Sequence, residues 1–327
     1  MISWDRTETP VAFSGSRLGW QDLPRDVRTM IATRAGAEVI AETGATSGFS
    51  PGFASVLELA DGHEIFVKAV STEQNPHSPD LARQEIAVAS ALPDDVPAPR
   101  LLWSHDDGTW VVLAFTAVHG RSPALPWRPD DLVRVLASLD RLASTRPREP
   151  HALLPVTTTL ADDLTGWRTL AGQPHELLEQ AAALAGEPGA WALAHLDMLV
   201  ALESGWPEAA EGDALVHGDL RADNVILDAT TCWLVDWPHA ALGAPWLDLA
   251  LMLPSVAMQG GGDPAVIFRS QRVSHGVDDD RLRAVLAAVA GYLAHGALQP
   301  APLGIPNLRR FQAAQALATL TWLRALV

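Results

Sequence analysis

Lysine is almost absent from this chain of 327 residues, which contains 22 arginines and a single lysine, Lys68. A protein so poor in lysine uses arginine for general cationic positions, so its one lysine is expected where a guanidinium would not serve. The ammonium group is a compact point charge with rotatable donors, whereas the guanidinium is a broad planar fork. This scarcity marks Lys68 as a candidate functional residue; the alternative is a chance lysine at a strand end.

Cysteine is equally scarce, and the single residue Cys232 excludes an internal disulfide and any zinc site built from several cysteines. No apolar run reaches the roughly 20 residues that a membrane-spanning helix needs. The segment after Met1 also lacks the charged start and apolar core of a secretory signal. These absences favour a cytoplasmic enzyme.

Positive charge is in deficit, and the formal net charge is −16. Such a balance argues against nonspecific binding to nucleic acid or to anionic membranes. It favours a cationic partner, although an acidic surface also serves solubility. With 48% hydrophobic and 19% charged residues, the composition is that of a soluble globular protein, and the length predicts roughly two domains.

The first third of the chain has the pattern of an antiparallel sheet. Strands are expected over about 37–43, 53–60, 63–70, 100–105 and 109–115, with helices over about 23–33 and 81–92. The Asp61-Gly62 pair between two alternating segments is a strong hairpin signal. Lys68 falls in the third strand, where a charge needs a partner or a bound anion because desolvating it alone is costly.

Helical patterns dominate after His119. Helices are expected over about 129–143, 160–171, 174–186, 188–203, 280–295 and 307–326, interrupted by a strand-rich passage from Leu215 to Val235. Glycine and prolines break the pattern near Thr116–Pro126. The sequence thus predicts an α+β protein with a β-rich part over residues 1–118 and a helical part over 119–327.

A polar loop between two apolar stretches carries the main candidate chemistry, and it reads His217-Gly218-Asp219-Leu220-Arg221-Ala222-Asp223-Asn224. A second short strand follows and ends at Asp236. The side chains of Asp219, Asn224 and Asp236 offer oxygen ligands, which suit Mg²⁺ better than zinc or copper.

This loop resembles the catalytic loop of the aminoglycoside phosphotransferase family, whose relatives include protein kinases with the loop H-R-D-L-x-x-x-N. The segment Val235-Asp236-Trp237 and the later segment 243–250 resemble that family's metal-binding aspartate and following helix. Together with Lys68, the resemblance covers roughly residues 40 to 255. It implies a bilobal protein-kinase-like fold and transfer of phosphate from ATP or GTP.

The resemblance also implies a role for each residue. Asp219 would hold the acceptor hydroxyl and accept its proton, Asn224 and Asp236 would hold Mg²⁺, and Lys68 would contact the nucleotide phosphates. Further candidates are Glu85 as partner of Lys68, Arg221 as a cation facing the transferred phosphate, and His217 as a residue that orders the loop. A solvated glutamate and a surface salt bridge are the alternatives for Glu85 and Arg221.

The glycines at 44, 48 and 52 do not form G-x-G-x-x-G. The phosphate-covering loop, with Ser47, Gly48, Phe49 and Ser50 as nucleotide-binding candidates, is therefore inferred from position, and two ordinary turns are the alternative. Asp236-Trp237-Pro238 replaces the D-F-G motif of protein kinases, and no A-P-E motif follows. An activation loop ordered by phosphorylation is therefore not expected, which favours a small-molecule substrate over a protein.

An aminoglycoside or another amino-bearing antibiotic suits the acidic balance, but the resemblance also covers kinases of macrolides, choline, homoserine and sugars. Asp162 and Asp163 are candidates for the acceptor site, or they begin a helix. Asp278–Asp280 are interpreted as the start of a helix. Trp237 and Trp246 could stack on a substrate ring or pack in the core. A binding module without turnover and a metal-dependent hydrolase are the other classes considered. A binding module has no evident need for the complete set of Lys68, Asp219, Asn224 and Asp236. A hydrolase would not need Lys68.

Overall fold

A computed structural model describes residues 12, 17–45, 48–49, 51–147 and 153–327. Its first part is a five-stranded antiparallel sheet in the order β1-β2-β3-β5-β4. The strands are β1 (Val39–Gly44), β2 (Phe53–Leu59), β3 (Glu64–Ser71), β4 (Leu101–Asp106) and β5 (Trp110–Thr116), and the helices are α1 (Arg25–Ala35) before β1 and α2 (Ser78–Ala91) between β3 and β4.

The two faces of the sheet pack against different helices. Val67 and Ala69 belong to a buried cluster with Ile31 of α1, whereas Val70 packs in a second cluster with Ala82 of α2. Because successive side chains of a strand point to opposite faces, Lys68 shares the α2 face with Val70. Strand alternation therefore directs the only lysine of the chain toward α2.

The second part is mainly helical. Its helices are α3 (Pro129–Leu142), α4 (Val156–Thr159), α5 (Gly166–Ala171), α6 (His175–Ala194), α7 (Leu196–Glu203), α8 (Trp206–Ala210), α9 (Leu247–Met258), α10 (Pro264–Ser270), α11 (Asp279–Ala297) and α12 (Leu308–Arg324). Two short antiparallel ribbons pair β6 (Ala214–Val216) with β9 (Ala241–Gly243), and β7 (Val225–Leu227) with β8 (Cys232–Leu234). None of the helices in the described ranges has the length and apolarity that a membrane crossing needs.

The expected and observed elements agree closely in the sheet and less well among the helices. The helix expected over 160–171 is instead α4, a turn and α5, and the break expected near residue 187 is a kink inside α6, where Gly186 has φ 66°. Helix α10 was not expected. The last strand of the sheet ends at Thr116 and α3 begins at Pro129, so the division near residue 118 stays a prediction.

Candidate active site

Lys68 lies at the centre of an ion-pair cluster that joins the two parts of the fold. Its Nζ donates to both carboxylate oxygens of Glu85 at 2.8 Å and to Oδ1 of Asp236 at 2.6 Å. Glu85 comes from α2 on the same face of the sheet, and Asp236 follows β8. The predicted partner of Lys68 is therefore in contact with it, and the predicted metal-binding aspartate is as well.

Charges within this cluster outweigh burial at Lys68 and at Asp236, whereas burial dominates at Glu85 and raises the pKa of its carboxyl. Burial opposes the charge on Lys68, but the nearby charges of Asp236 and Glu85 outweigh burial and raise the pKa of Lys68. Burial likewise opposes the charge on Asp236, and the Lys68 ammonium outweighs it and lowers the pKa of Asp236 to about 2. An ionised lysine beside an ionised aspartate can exchange that contact for a phosphate oxygen or a metal ion.

The loop between β6 and β7 presents Asp219 and Arg221 together. Arg221 Nη1 donates to Asp219 Oδ1. Its Nε and Nη2 donate to the two carboxylate oxygens of Asp223, at 3.1 and 3.0 Å. The carboxylates of Asp219 and Asp223 outweigh the effect of burial and raise the pKa of Arg221. This guanidinium is therefore a permanent cation beside the proposed proton acceptor.

Asn224 and Asp236 lie at the same end of the β7–β8 ribbon. Asn224 directly precedes β7, and its carbonyl accepts a 3.0 Å hydrogen bond from the amide of Val235, the residue before Asp236. The Asn224 Nδ2 donates to the carbonyl of Asp219 at 2.7 Å. That contact fixes the amide so that its oxygen is the atom available to a cation.

The donor set fits a magnesium ion that is shared with phosphates. No three His, Cys, Asp or Glu side chains of the described residues form a ready-made metal cluster. One carboxylate and one amide oxygen, from Asp236 and Asn224, are nevertheless what Mg²⁺ uses when substrate phosphates and water complete its coordination. Asp236 has φ 69°, a left-handed conformation uncommon for residues other than glycine, which often accompanies functional positions.

Asp248 and His217 stabilise the conformation of the loop between β6 and β7. The Asp248 carboxylate, at the start of α9, accepts hydrogen bonds from the amides of His217 at 2.7 Å and Gly218 at 2.9 Å. The His217 ring is fully buried, contacts the carbonyl of Val235 at 3.0 Å and lies against Trp237. His217 is not among the described residues that line the cavity. Its contacts with Val235 and Trp237 therefore support a role in positioning the loop.

Gly218 is required by the same loop. Its φ is 81°, and a Cβ at this position would lie 2.5 Å from the carbonyl oxygen of His239. A protein kinase has arginine at the corresponding motif position. The substitution by glycine thus lets the backbone of this loop approach residue 239 closely.

The predicted phosphate-covering loop is described only in part. Ser47 and Ser50 lie outside the described residues. Gly48 has φ 92°, and the Phe49 ring packs on Phe311 of α12 with centroids 5.2 Å apart. The Arg221 guanidinium lies 5.8 Å from each of these two rings, so the loop reaches over the catalytic-loop cation.

These elements surround a cavity of about 400 Å³. Lys68, Glu85, Asp219, Arg221 and Asp236 all line it, and α11, α12 and the turn after α4 close its far side. The far side also contributes polar residues that sequence analysis missed, namely Tyr292, Gln312 and Gln315. Tyr292 is the only tyrosine of the chain, and that scarcity was the one available signal.

Among the remaining acidic and aromatic candidates, one lines the cavity and the others have structural roles. Asp163 lines the cavity, whereas the Asp278 side chain caps α11 by accepting from the amide of Arg281 at 2.8 Å. Trp237 and Trp246 are 3% and 2% exposed. Both tryptophans therefore pack in the core and do not stack on a substrate.

Known structures with a similar fold include proteins named as phosphotransferases and kinases. An aminoglycoside-3'-phosphotransferase of type VIII has 22% identity and a TM-score of 0.52, covering 82% of this chain and 98% of that one. The choline kinase LicA from Streptococcus pneumoniae has 14% identity and a TM-score of 0.55, covering 90% and 99%. A putative fructosamine-3-kinase from Haemophilus somnus 129PT has 11% identity and a TM-score of 0.53, covering 92% and 96%.

These likenesses establish the expected bilobal, protein-kinase-like α+β fold. No curated protein matches the sequence. The family model described as the phosphotransferase enzyme family (APH) matches residues 47–286, a span that includes Lys68 and the catalytic loop. The chain therefore belongs to the APH phosphotransferase enzyme family.

Proposed function

We propose that this protein is a magnesium-dependent kinase that transfers the γ-phosphate of ATP or GTP to a hydroxyl group of a small molecule. The observation that supports this most strongly is that Lys68, Asp219 and Asp236, which are far apart in sequence, line one cavity. Phosphoryl transfer depends mainly on positioning and on neutralising charge. A cavity with these groups supplies both.

Lys68 is proposed to bind the nucleotide phosphates. Its Nζ is held by Glu85 on one side and contacts Asp236 on the other, and only 18% of its side chain is exposed. A phosphate oxygen entering the cluster can take the contact that Asp236 makes now. Glu85 would keep the ammonium aimed at the same place throughout.

Asp219 is proposed to orient the acceptor hydroxyl and to take its proton. Arg221 occupies Asp219 Oδ1, and Oδ2 accepts only a long, 3.3 Å hydrogen bond from Asn224 among the described residues. Oδ2 is therefore the atom we assign to the acceptor hydroxyl. Arg221 would offset the negative charge that develops on the transferred group.

Asn224 and Asp236 are proposed to hold Mg²⁺ through their side-chain oxygens. A bound Mg²⁺ would neutralise phosphate charge and fix the orientation of the phosphate chain. Asn224 directly precedes β7 and Asp236 follows β8 by two residues, so the pairing of these strands holds both residues at the same end of the ribbon. The protein would thus contribute two positioned ligands to the ion.

The acceptor is proposed to carry an amino group as well as a hydroxyl. The chain has a formal net charge of −16, and the similar structures include kinases named for aminoglycosides and for choline, which are both compounds with a cationic nitrogen. An amino-bearing antibiotic is one candidate. A kinase of another small alcohol is the second candidate, because the choline kinase likeness covers 90% of this chain.

Nucleotide binding is the first test. Thermal denaturation with saturating Mg-ATP, or with Mg-GTP, should raise the free energy of unfolding by about 2.7 kcal/mol at about 100 times Kd. Turnover that requires an added alcohol then identifies a kinase, consumption without one identifies a hydrolase, and binding alone identifies a non-catalytic module. No thermal shift with either nucleotide would contradict the proposal.

A further inference from the structure

The connection between α11 and α12, residues 298–307, contains a tight turn that faces the loops of the sheet; we call this connection the clasp. In the turn, the Ile305 amide donates to the carbonyl of Pro302 at 3.0 Å, and Gly304 has φ 76°. This is a β-turn of the type that needs glycine at its third position. The Leu303 carbonyl belongs to the middle peptide of the turn and can therefore accept a hydrogen bond from outside it.

The outside donor is Asn75, in the loop between β3 and α2. Asn75 is 4% exposed, and its Nδ2 donates to the Leu303 carbonyl at 3.1 Å. Its Oδ1 accepts from the amide of His77 at 2.9 Å, which fixes the orientation of the side-chain amide. A buried side chain with both ends hydrogen-bonded thus ties the clasp to the β3–α2 loop.

The helical part of the fold also contacts the loop between β1 and β2. A Cβ added at Gly304 would lie 2.7 Å from the Cβ of Pro51 and 3.2 Å from the carbonyl oxygen of Gln74, so the clasp backbone lies directly against both loops. On α12, next to the clasp, the Phe311 ring meets the Phe49 ring edge-on with centroids 5.2 Å apart. The predicted phosphate-covering loop is thus held from the helical side at two points.

These contacts border the cavity. The clasp contributes Pro302 and Ile305 to the cavity lining, and Asn75 contributes to it from the other part of the fold. Lys68 and Asp219 belong to the same lining. Separating the clasp from the two loops would therefore open the wall of the cavity that contains the proposed transfer site.

We infer that the clasp is a gate, which keeps this cavity closed and must open before a molecule can enter it. A closed cavity excludes water, which would otherwise compete with an acceptor hydroxyl for the phosphate. A closure made by a hydrogen bond and apolar contacts can break and re-form within a catalytic cycle. That the admitted molecule is the acceptor rests on the proposed kinase activity, whereas the closure itself does not.

Thiol labelling tests the closure without any substrate. Val289→Cys on α11 and Ala82→Cys on α2 place one reporter on each side of the cavity, where the native side chains are 6% and 7% exposed. Methyl methanethiolsulfonate is the probe, and peptide mass spectrometry follows each thiol separately. The native Cys232 is 3% exposed in β8 and lies outside the described lining of the cavity, so its labelling reports general loosening of the fold.

Gly304→Ala should raise the labelling rate of both reporters by about tenfold, because the added Cβ has no room against Pro51. Gly276→Ala is the matched control. Gly276 also has a positive φ, 83°, but no described atom beyond its chain neighbours lies within 4 Å of an added Cβ. The control therefore carries similar backbone strain without the clash, and it should leave both reporters unchanged.

Asn75→Ser is a second and milder way to release the clasp. A serine hydroxyl can still accept from the His77 amide, as such side chains do in turns, but it is too short to reach the Leu303 carbonyl. Labelling of both reporters should rise by about fivefold, the scale of one lost hydrogen bond.

Unchanged labelling of the two reporters in Gly304→Ala and Asn75→Ser would overturn the inference, because the reagent would then enter by another path. A rise at only one reporter, which indicates local loosening, would overturn it as well. So would an equal rise at Cys232, which indicates a general loss of stability. None of these results bears on the proposed kinase activity, which nucleotide binding and turnover decide.

Discussion

Replacing Asp219 with asparagine is expected to lower kcat by about two to four orders of magnitude, the range that a general base contributes. The amide cannot take the proton of the acceptor hydroxyl, although it has nearly the shape of the carboxylate. The contact between Asn224 Nδ2 and the Asp219 carbonyl uses the backbone, so the metal-binding edge should keep its geometry. Mg-nucleotide affinity should therefore change little, as measured by calorimetry beside the steady-state rate.

A suitable control is Asp280→Asn on α11, where the aspartate side chain is 91% exposed. This variant should retain full turnover. Equal losses of turnover and of Mg-nucleotide affinity in Asp219→Asn would mean that Asp219 is a metal ligand. The assignment of the base would then have to be abandoned.

Lys68→Arg is expected to reduce kcat/KM by about a hundredfold or more, the scale of losing one preorganised electrostatic contact, even though the positive charge is kept. The Nζ of Lys68 sits between Glu85 at 2.8 Å and Asp236 at 2.6 Å. A planar guanidinium is larger and directs its donors in a fixed fork. It would pair with one carboxylate in a different geometry and displace the other, so phosphate contacts should suffer.

The comparison variant is Arg34→Lys on the exposed surface of α1, which should leave the rate unchanged. Thermal denaturation of both variants separates misfolding from a local defect. Normal kinetics in Lys68→Arg would show that the position requires only positive charge. The reasoning from lysine scarcity would then fail.

The sheet and the loop between β6 and β7 were predictable because short-range pattern determines them. Alternation identified β3 with Lys68 in it, and Asp61-Gly62 identified the hairpin, in which Gly62 has φ 84°. The spacing of His217, Asp219 and Asn224 identified the loop.

The boundaries of the helices were harder to predict from the sequence, because tertiary packing overrides the local pattern in that part of the chain. Gly186 adopts a left-handed conformation inside α6, where the sequence suggested a simple break. The turn at Asp163 interrupts a segment with helical spacing, and this turn brings the carboxylate to the cavity.

The far wall of the site was missed for a different reason. Tyr292 and Gln312 lie on α11 and α12, whose sequences read as ordinary amphipathic helices. Only the packing of these helices against the catalytic loop brings their polar side chains to the cavity.

The most direct measurement is a crystal structure with Mg²⁺ and a non-hydrolysable ATP analogue. Our account predicts phosphate oxygens within hydrogen-bonding distance of Lys68 Nζ, a metal ion bound by Asn224 and Asp236, and the terminal phosphate facing Asp219. Triphosphate density elsewhere on the protein, or a metal ion that contacts neither Asn224 nor Asp236, would contradict it.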